Sequence, residues 1–226
     1  MSLILNIDTS SEKAHVSFAK DGSLLALLSS ESQKEHASFL QSAIQQLCKT
    51  ASIHLPEIDA VAVTAGPGSY TGLRVGMASA KGLSYALKKP FITMGTLEIL
   101  ARSAMDLFPD QPETVLYCPM MDARRMEVFT AIYQKDFNAI LEPGAMVLDE
   151  SSFEAHLLTN KILFFGSGSA KWKATCKNMN ALFKNVEIQP QTMCMQANSL
   201  FMQKDFTDLA YSEPMYLKDF QIVIKK

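Results

Sequence analysis

The stretch Val61-Ala62-Val63-Thr64-Ala65-Gly66-Pro67-Gly68-Ser69-Tyr70-Thr71-Gly72-Leu73-Arg74 decides how the rest of the chain is read. A short β-branched run predicts a buried strand, which feeds a glycine turn and then a long helix to about Lys88. Such a junction points several backbone N–H groups toward one spot, at the positive end of the helix dipole. It is a candidate anion site, with Ser69 and Thr71 as added hydroxyl donors or as the helix cap. No Gly-Lys-Ser/Thr follows, so it is not a Walker loop, and the glycine spacing is one residue too long for a dinucleotide fingerprint. A tight turn whose glycines only permit close packing explains the same residues, and local sequence leaves both readings open.

Upstream of this stretch, Leu3 to Asp8 reads as a buried strand running into the polar turn Asp8-Thr9-Ser10. A carboxylate and two hydroxyls at a strand end suit a magnesium ion and a phosphate, and equally a turn capped by its own side chains. Two more strands follow, His15 to Ala19 and Leu24 to Leu28, around the turn signal Asp21-Gly22. An amphipathic helix from about Glu35 to Thr50 comes next, with His36 at its start read as a cap or surface residue. Downstream lie a strand at Phe91 to Met94 and a helix at Leu97 to Phe108.

A proline-marked connection, Phe108 to Pro112, is the boundary signal. It predicts an N-terminal lobe of residues 1–108 and a shorter lobe of 109–226, with a tail from about 205 packing back on the first. In the second half, strands are expected at Val115 to Met121 and Met126 to Tyr133, around the turn Asp122-Ala123-Arg124-Arg125. A short helix over Ser152 to Leu158 is expected to be capped by Ser151 or Ser152. A strand at Ile162 to Phe165 runs into Gly166-Ser167-Gly168-Ser169 and a helix through Trp172. A last helix is expected over about Gln196 to Lys204. Each half thus shows a hairpin, then a strand, a glycine turn and a helix.

Composition narrows the function. The chain has 226 residues, with 21 lysines and arginines against 23 acidic residues. A net charge of −2 argues against gripping nucleic acid by its own field. Any part in RNA chemistry would run through a partner. Cys48, Cys118, Cys176 and Cys194 form no C-x-x-C pair and read as reduced, buried thiols. His15, His36, His54 and His156 supply no H-x-x-x-H or H-E-x-x-H spacing, so no metal site is expected. The N-terminus does not read as a signal peptide and no run is long enough to span a bilayer, so a cytoplasmic, soluble protein is expected.

The helix after the glycine turn is unusual. Gly72, Val75, Gly76, Ala78, Ser79, Ala80, Gly82 and Ala86 cover more than half its circumference, with Arg74, Lys81, Tyr85 and Lys88 on the remaining side. Internal glycines weaken a helix by about 1 kcal/mol each relative to alanine, so the pattern suggests close neighbours on two sides. The second neighbour is either the preceding helix or a helix of another subunit.

The combination resembles the TsaB (YeaZ) family. The residues that carry the resemblance are Ile4 to Ser10, Gly66 to Gly76, Lys81-Gly82-Leu83, Asp122 to Arg125 with Glu127-Val128-Phe129, and Pro214-x-Tyr216-Leu217. It implies an α/β actin/sugar-kinase-like (ASKHA) fold of two similar lobes, each a mixed β-sheet flanked by helices. It further implies that Asp8, Thr9, Ser10, Gly66, Gly68, Ser69, Thr71 and Gly72 are remnants of nucleotide/phosphate loops. No cofactor would be required, and ATP or ADP would bind weakly. The implied role is a non-catalytic subunit that binds and activates a TsaD-type threonylcarbamoyl transferase, with a TsaE-type ATPase. The product would be threonylcarbamoyladenosine at the adenine next to the tRNA anticodon. On this reading His36, Phe39, Leu40, Ala43, Arg74, Met77, Ala78, Lys81, Gly82 and Tyr85 form the partner interface. The chain alone would be a homodimer, and tRNA would be met only in the complex, away from membranes. The rival readings are a small-molecule phosphotransferase of the same superfamily and a degenerate glycoprotease-like metallopeptidase.

Overall fold

A computed structural model describes residues 1–30 and 36–218, and of His36 only the backbone. The described chain forms two compact units, 1–110 with 186–214, and 111–185 with 215–218. Sequence placed the boundary at 109 and expected only a tail from about 205 to return. The returning segment is longer, because it carries a whole helix that covers one face of the first sheet.

In the first unit, β1 (Leu3–Asp8), β2 (Ala14–Lys20), β3 (Ser23–Ser30), β4 (Ala60–Gly66) and β5 (Phe91–Gly95) form one sheet in the order β3-β2-β1-β4-β5. The β1–β2–β3 meander is antiparallel, whereas β4 and β5 join in parallel. Asp21 and Gly22 take positive φ at the β2–β3 turn, as their sequence suggested. Every residue of β4 is buried, which explains its unbroken run of small and β-branched residues. One face of the sheet is covered by α1 (His36–Ala51) and α2 (Tyr70–Leu87), whose Leu40, Ile44, Leu47, Met77 and Ala80 meet Leu5, Ile7, Val16, Phe18, Val61 and Val63. On the other face lie α3 (Thr96–Leu107) and α6 (Pro190–Gln203), where Cys194 Sγ lies 3.6 Å from the Asn6 amide nitrogen. Helix α6 starts six residues earlier than Gln196, the start predicted from sequence. Pro190 stands in its first turn, where the missing N–H has no helical partner to lose, so a residue that reads as a breaker is a starter.

The second unit repeats the same topology. Its strands β6 (Leu116–Asp122), β7 (Glu127–Tyr133), β8 (Ala139–Val147), β9 (Ile162–Phe165) and β10 (Ala181–Phe183) are ordered β8-β7-β6-β9-β10, with an antiparallel meander and two parallel strands. β8 escaped the sequence reading because Pro143 and Gly144 interrupt it. It is an edge strand, where a proline removes no needed ladder donor. The core centres on Trp172, packed edge-on against Phe153 at 5.0 Å and tilted against Phe164 at 4.6 Å between ring centroids. The short helices are α4 (Glu154–Leu157) and α5 (Ser169–Lys173). Neither Ser151 nor Ser152 caps α4. Both hydroxyls turn back onto Asp149 Oδ1, at 2.9 and 3.0 Å, and Phe153 precedes the helix in the left-handed region.

Candidate functional site

The glycine loop and the Asp8 turn do come together at the N-terminus of α2. Thr64, at the end of β4, donates to Asp8 Oδ1 at 2.8 Å, and the same oxygen accepts from Ser10 N–H at 2.9 Å and from Ser10 Oγ at 2.6 Å. Asp8 Oδ2 is buried without a partner among the described residues. Thr9 donates to the Gly72 carbonyl at 2.7 Å. Asp8, Thr9 and Ser10 are all at most 1% exposed.

The loop's own donors are engaged as well. Ser69 N–H bonds the Ser10 carbonyl at 2.7 Å, and the Ser69 hydroxyl caps α2 by accepting from Gly72 N–H at 3.2 Å. Two of the N–H groups an anion would use are therefore committed inside the protein. Gly68 and Gly76 are needed for this closeness: a Cβ on Gly68 would run into the Ser10 carbonyl, and one on Gly76 into the Thr9 hydroxyl. Of the residues expected to bind phosphate, Thr71 alone is exposed. Thr64 and Gly76 belong to the cluster although sequence did not single them out as site residues. A lone threonine in an aliphatic buried strand and a glycine inside a helix were the available signals.

The second predicted surface divides. Leu40, Ala43 and Met77 are at most 4% exposed and lie in the core beneath α1 and α2, which corrects their place in the expected interface. They are on the sheet-facing side, and a helix cannot present one residue both ways. Lys81 is held within the unit, donating to the carbonyls of Ser212 at 2.9 Å and Ala210 at 3.4 Å. The His36 side chain lies outside the described residues. Arg74, Ala78, Gly82 and Tyr85 face out, Tyr85 being 79% exposed, and Phe39 is half-buried. Arg74 lies over the Tyr70 ring at 4.0 Å. Among the described residues, a Cβ built on Gly82 meets nothing within 4 Å.

Between the two helices, Gln41 Nε2 reaches Ser79 Oγ at 3.1 Å. Gln41, Ala78, Ser79, Gly82 and Leu83 line an open depression of about 400 Å³. The preceding helix therefore fills one of the two sides that the small residues of α2 leave free, and among the described residues nothing covers Gly82 on the other.

Among the described residues, no group of three or more His, Cys, Asp or Glu side chains is placed to hold a metal ion, and no helix is long and apolar enough to cross a membrane.

Comparison with known proteins agrees with this architecture. The Escherichia coli protein named tRNA threonylcarbamoyladenosine biosynthesis protein TsaB is 28% identical over 96% of this chain and 94% of its own length. A Pseudomonas aeruginosa crystal structure, described as similar to the peptidase YeaZ, superposes with a TM-score of 0.81 at 22% identity, covering 96% of this chain and all of the other. A Listeria monocytogenes protein described as a candidate N-acetylmannosamine kinase shares the fold at a TM-score of 0.51 and 11% identity, over 90% of this chain and 99% of its own. The fold is therefore the actin/sugar-kinase-like one that the resemblance implied. The family model of TsaD, tRNA N6-adenosine threonylcarbamoyltransferase, matches residues 28–225, and the chain belongs to that family, with the Escherichia coli TsaB protein as a near-full-length relative.

Proposed function

We propose that the chain is a non-catalytic subunit of a tRNA threonylcarbamoyladenosine-forming assembly, and that it binds and activates a TsaD-type transferase. The observation that carries this reading is the outer side of α2, where nothing covers Gly82 among the described residues. Ala78 and Gly82 lie exposed beside a shallow depression, and an α-carbon without side-chain neighbours lets a second helix backbone approach closely. Helix surfaces without such a partner gain about 1 kcal/mol from replacing glycine by alanine, so an exposed mid-helix glycine is a cost to the isolated chain.

The Asp8 cluster supports the non-catalytic part. Its carboxylate is buried, with Oδ1 held by Ser10 and Thr64, so it reaches no substrate in this arrangement. Nucleotide binding through the loop is weak on this reading, since Ser69 and Gly72 N–H groups are occupied and no lysine accompanies the loop. A TsaE-type ATPase is the further partner, tRNA is met through the complex, the same α2 face pairs with itself when the partner is absent, and the assembly works in the cytoplasm.

The test is co-purification of this chain with the TsaD-type protein of the same cell, followed by a threonylcarbamoyl-transfer assay with and without the chain. Transfer should depend on the chain, and Gly82→Leu should abolish co-purification while the variant stays folded. Gly82→Leu that co-purifies unchanged places the interface elsewhere, and transfer that proceeds equally without the chain defeats the reading.

A further inference from the structure

The turn between β6 and β7 reads as electrically neutral in sequence, because Asp122, Arg124, Arg125 and Glu127 balance. The structure separates these charges. Asp122 Oδ1 is taken by Lys171 Nζ at 2.8 Å and by Arg124 N–H at 2.6 Å. Glu127 Oε2 is taken by Lys218 Nζ at 2.6 Å, with the Glu127 side chain only 17% exposed. Each carboxylate that flanks the tip is thus neutralised by a lysine from elsewhere in the second unit. Arg124 and Arg125 are exposed, and neither guanidinium has an ion-pair partner among the described residues. Four cations surround two carboxylates in a chain whose overall charge is −2.

The backbone at the tip is also unusual. Arg124 and Arg125 have φ of 69° and 50°, while the turn is closed by Ala123 N–H on the Glu127 carbonyl and Glu127 N–H on the Arg124 carbonyl, both at 3.1 Å. Consecutive left-handed positions ordinarily fall to glycine or asparagine. A chain that holds two arginines there accepts backbone strain to project two guanidinium forks from one turn, and strain of this kind gathers at functional sites.

We propose that the Arg124–Arg125 tip is a contact for the phosphate backbone of the RNA substrate. The proposal rests on the functional reading above, since a tRNA-modifying assembly must hold a tRNA. The guanidinium fork matches phosphate oxygens in bidentate fashion. Two phosphate contacts are too few to hold RNA alone, which fits a chain whose net charge is −2. They add to a site built mainly by the partner, and they carry no base specificity.

The test uses the chain assembled with its TsaD-type partner, the doubly substituted Arg124→Gly/Arg125→Gly chain, and an unmodified tRNA transcript. Glycine suits both φ values, so the variant should fold and melt at the same temperature or higher. Assembly is measured first, without RNA. The variant complex should then bind tRNA roughly tenfold more weakly, with the slope of log affinity against log salt reduced by about 2, near 1 for each arginine. Unchanged affinity and slope in an intact complex overturn the proposal. Loss of assembly with no separate RNA effect overturns it too, and assigns the tip to a protein partner. A wild-type chain that fails to assemble with the TsaD-type protein defeats the functional reading itself, and the RNA contact with it.

Discussion

The Asp8 carboxylate accepts the Thr64 hydroxyl at 2.8 Å across 56 positions of sequence, and this bond fastens the end of β1 to the end of β4. Ser10 contributes two more donors to the same oxygen. Asp8→Ala would leave all three donors buried without an acceptor. It should destabilise the chain by about 2–4 kcal/mol in denaturant unfolding. Asp8→Asn, which keeps an acceptor oxygen at that place, should cost clearly less. Equal losses for the two variants would show that the carboxylate is held for something other than this hydrogen-bonded turn.

Two glycines of α2 should respond oppositely to the same substitution. At Gly76 the added methyl runs into the Thr9 hydroxyl, whereas at Gly82 it meets no atom of the described residues. Gly76→Ala should destabilise by about 1–3 kcal/mol, as overpacking does. Gly82→Ala should stabilise the isolated chain by about 0.5–1 kcal/mol through helix propensity. Thermal melts of the two variants check both signs.

Lys81 ties the middle of α2 to the segment after α6 through the Ser212 and Ala210 carbonyls. Lys81→Ala should lower global stability by only about 1 kcal/mol. Its clearer effect should be local, with faster amide exchange and earlier proteolytic cutting around residues 205–214 than in the parent. Unaltered exchange there would mean that the segment is held by Thr207, whose hydroxyl accepts from Thr93 N–H at 3.0 Å.

Burial pushes the Cys118 thiol up to about 12 from its ordinary 9.0, with a hydrogen bond to Thr130 opposing the shift only in part. The native thiol keeps its proton between these values while the unfolded thiol loses it. Stability is therefore fully present below pH 9 and falls as pH rises toward 12, at up to about 1.4 kcal/mol per pH unit from this group. At pH 8, Cys118 and the likewise buried Cys194 should resist alkylation in the native chain and react on unfolding. Cys48 and Cys176 are half-buried and should react first.

The sequence by itself determined most element types, the repeated plan of the two halves and the meeting of a glycine turn with a helix start. These follow from local causes: period-two and helical spacing of apolar residues, β-branched runs and turn residues. It also marked α2 as abnormally small-sided. Tertiary structure alone decided which of those small residues matter for what. Helical periodicity groups Gly76 with Met77 and Gly82 with Ala78, yet it does not say which group the sheet covers. The buried end of Asp8, the anchoring of Lys81 by residues more than 120 positions away and the neutralisation of Asp122 and Glu127 by Lys171 and Lys218 all depend on distant partners. No local pattern encodes such a partner, because a hydrogen bond or ion pair across the chain is fixed by where the sheet brings two segments. For the same reason α6 reads as part of the second half and belongs to the first: the sheet face it shares with α3, rather than any signal near Pro190, determines where the helix is buried.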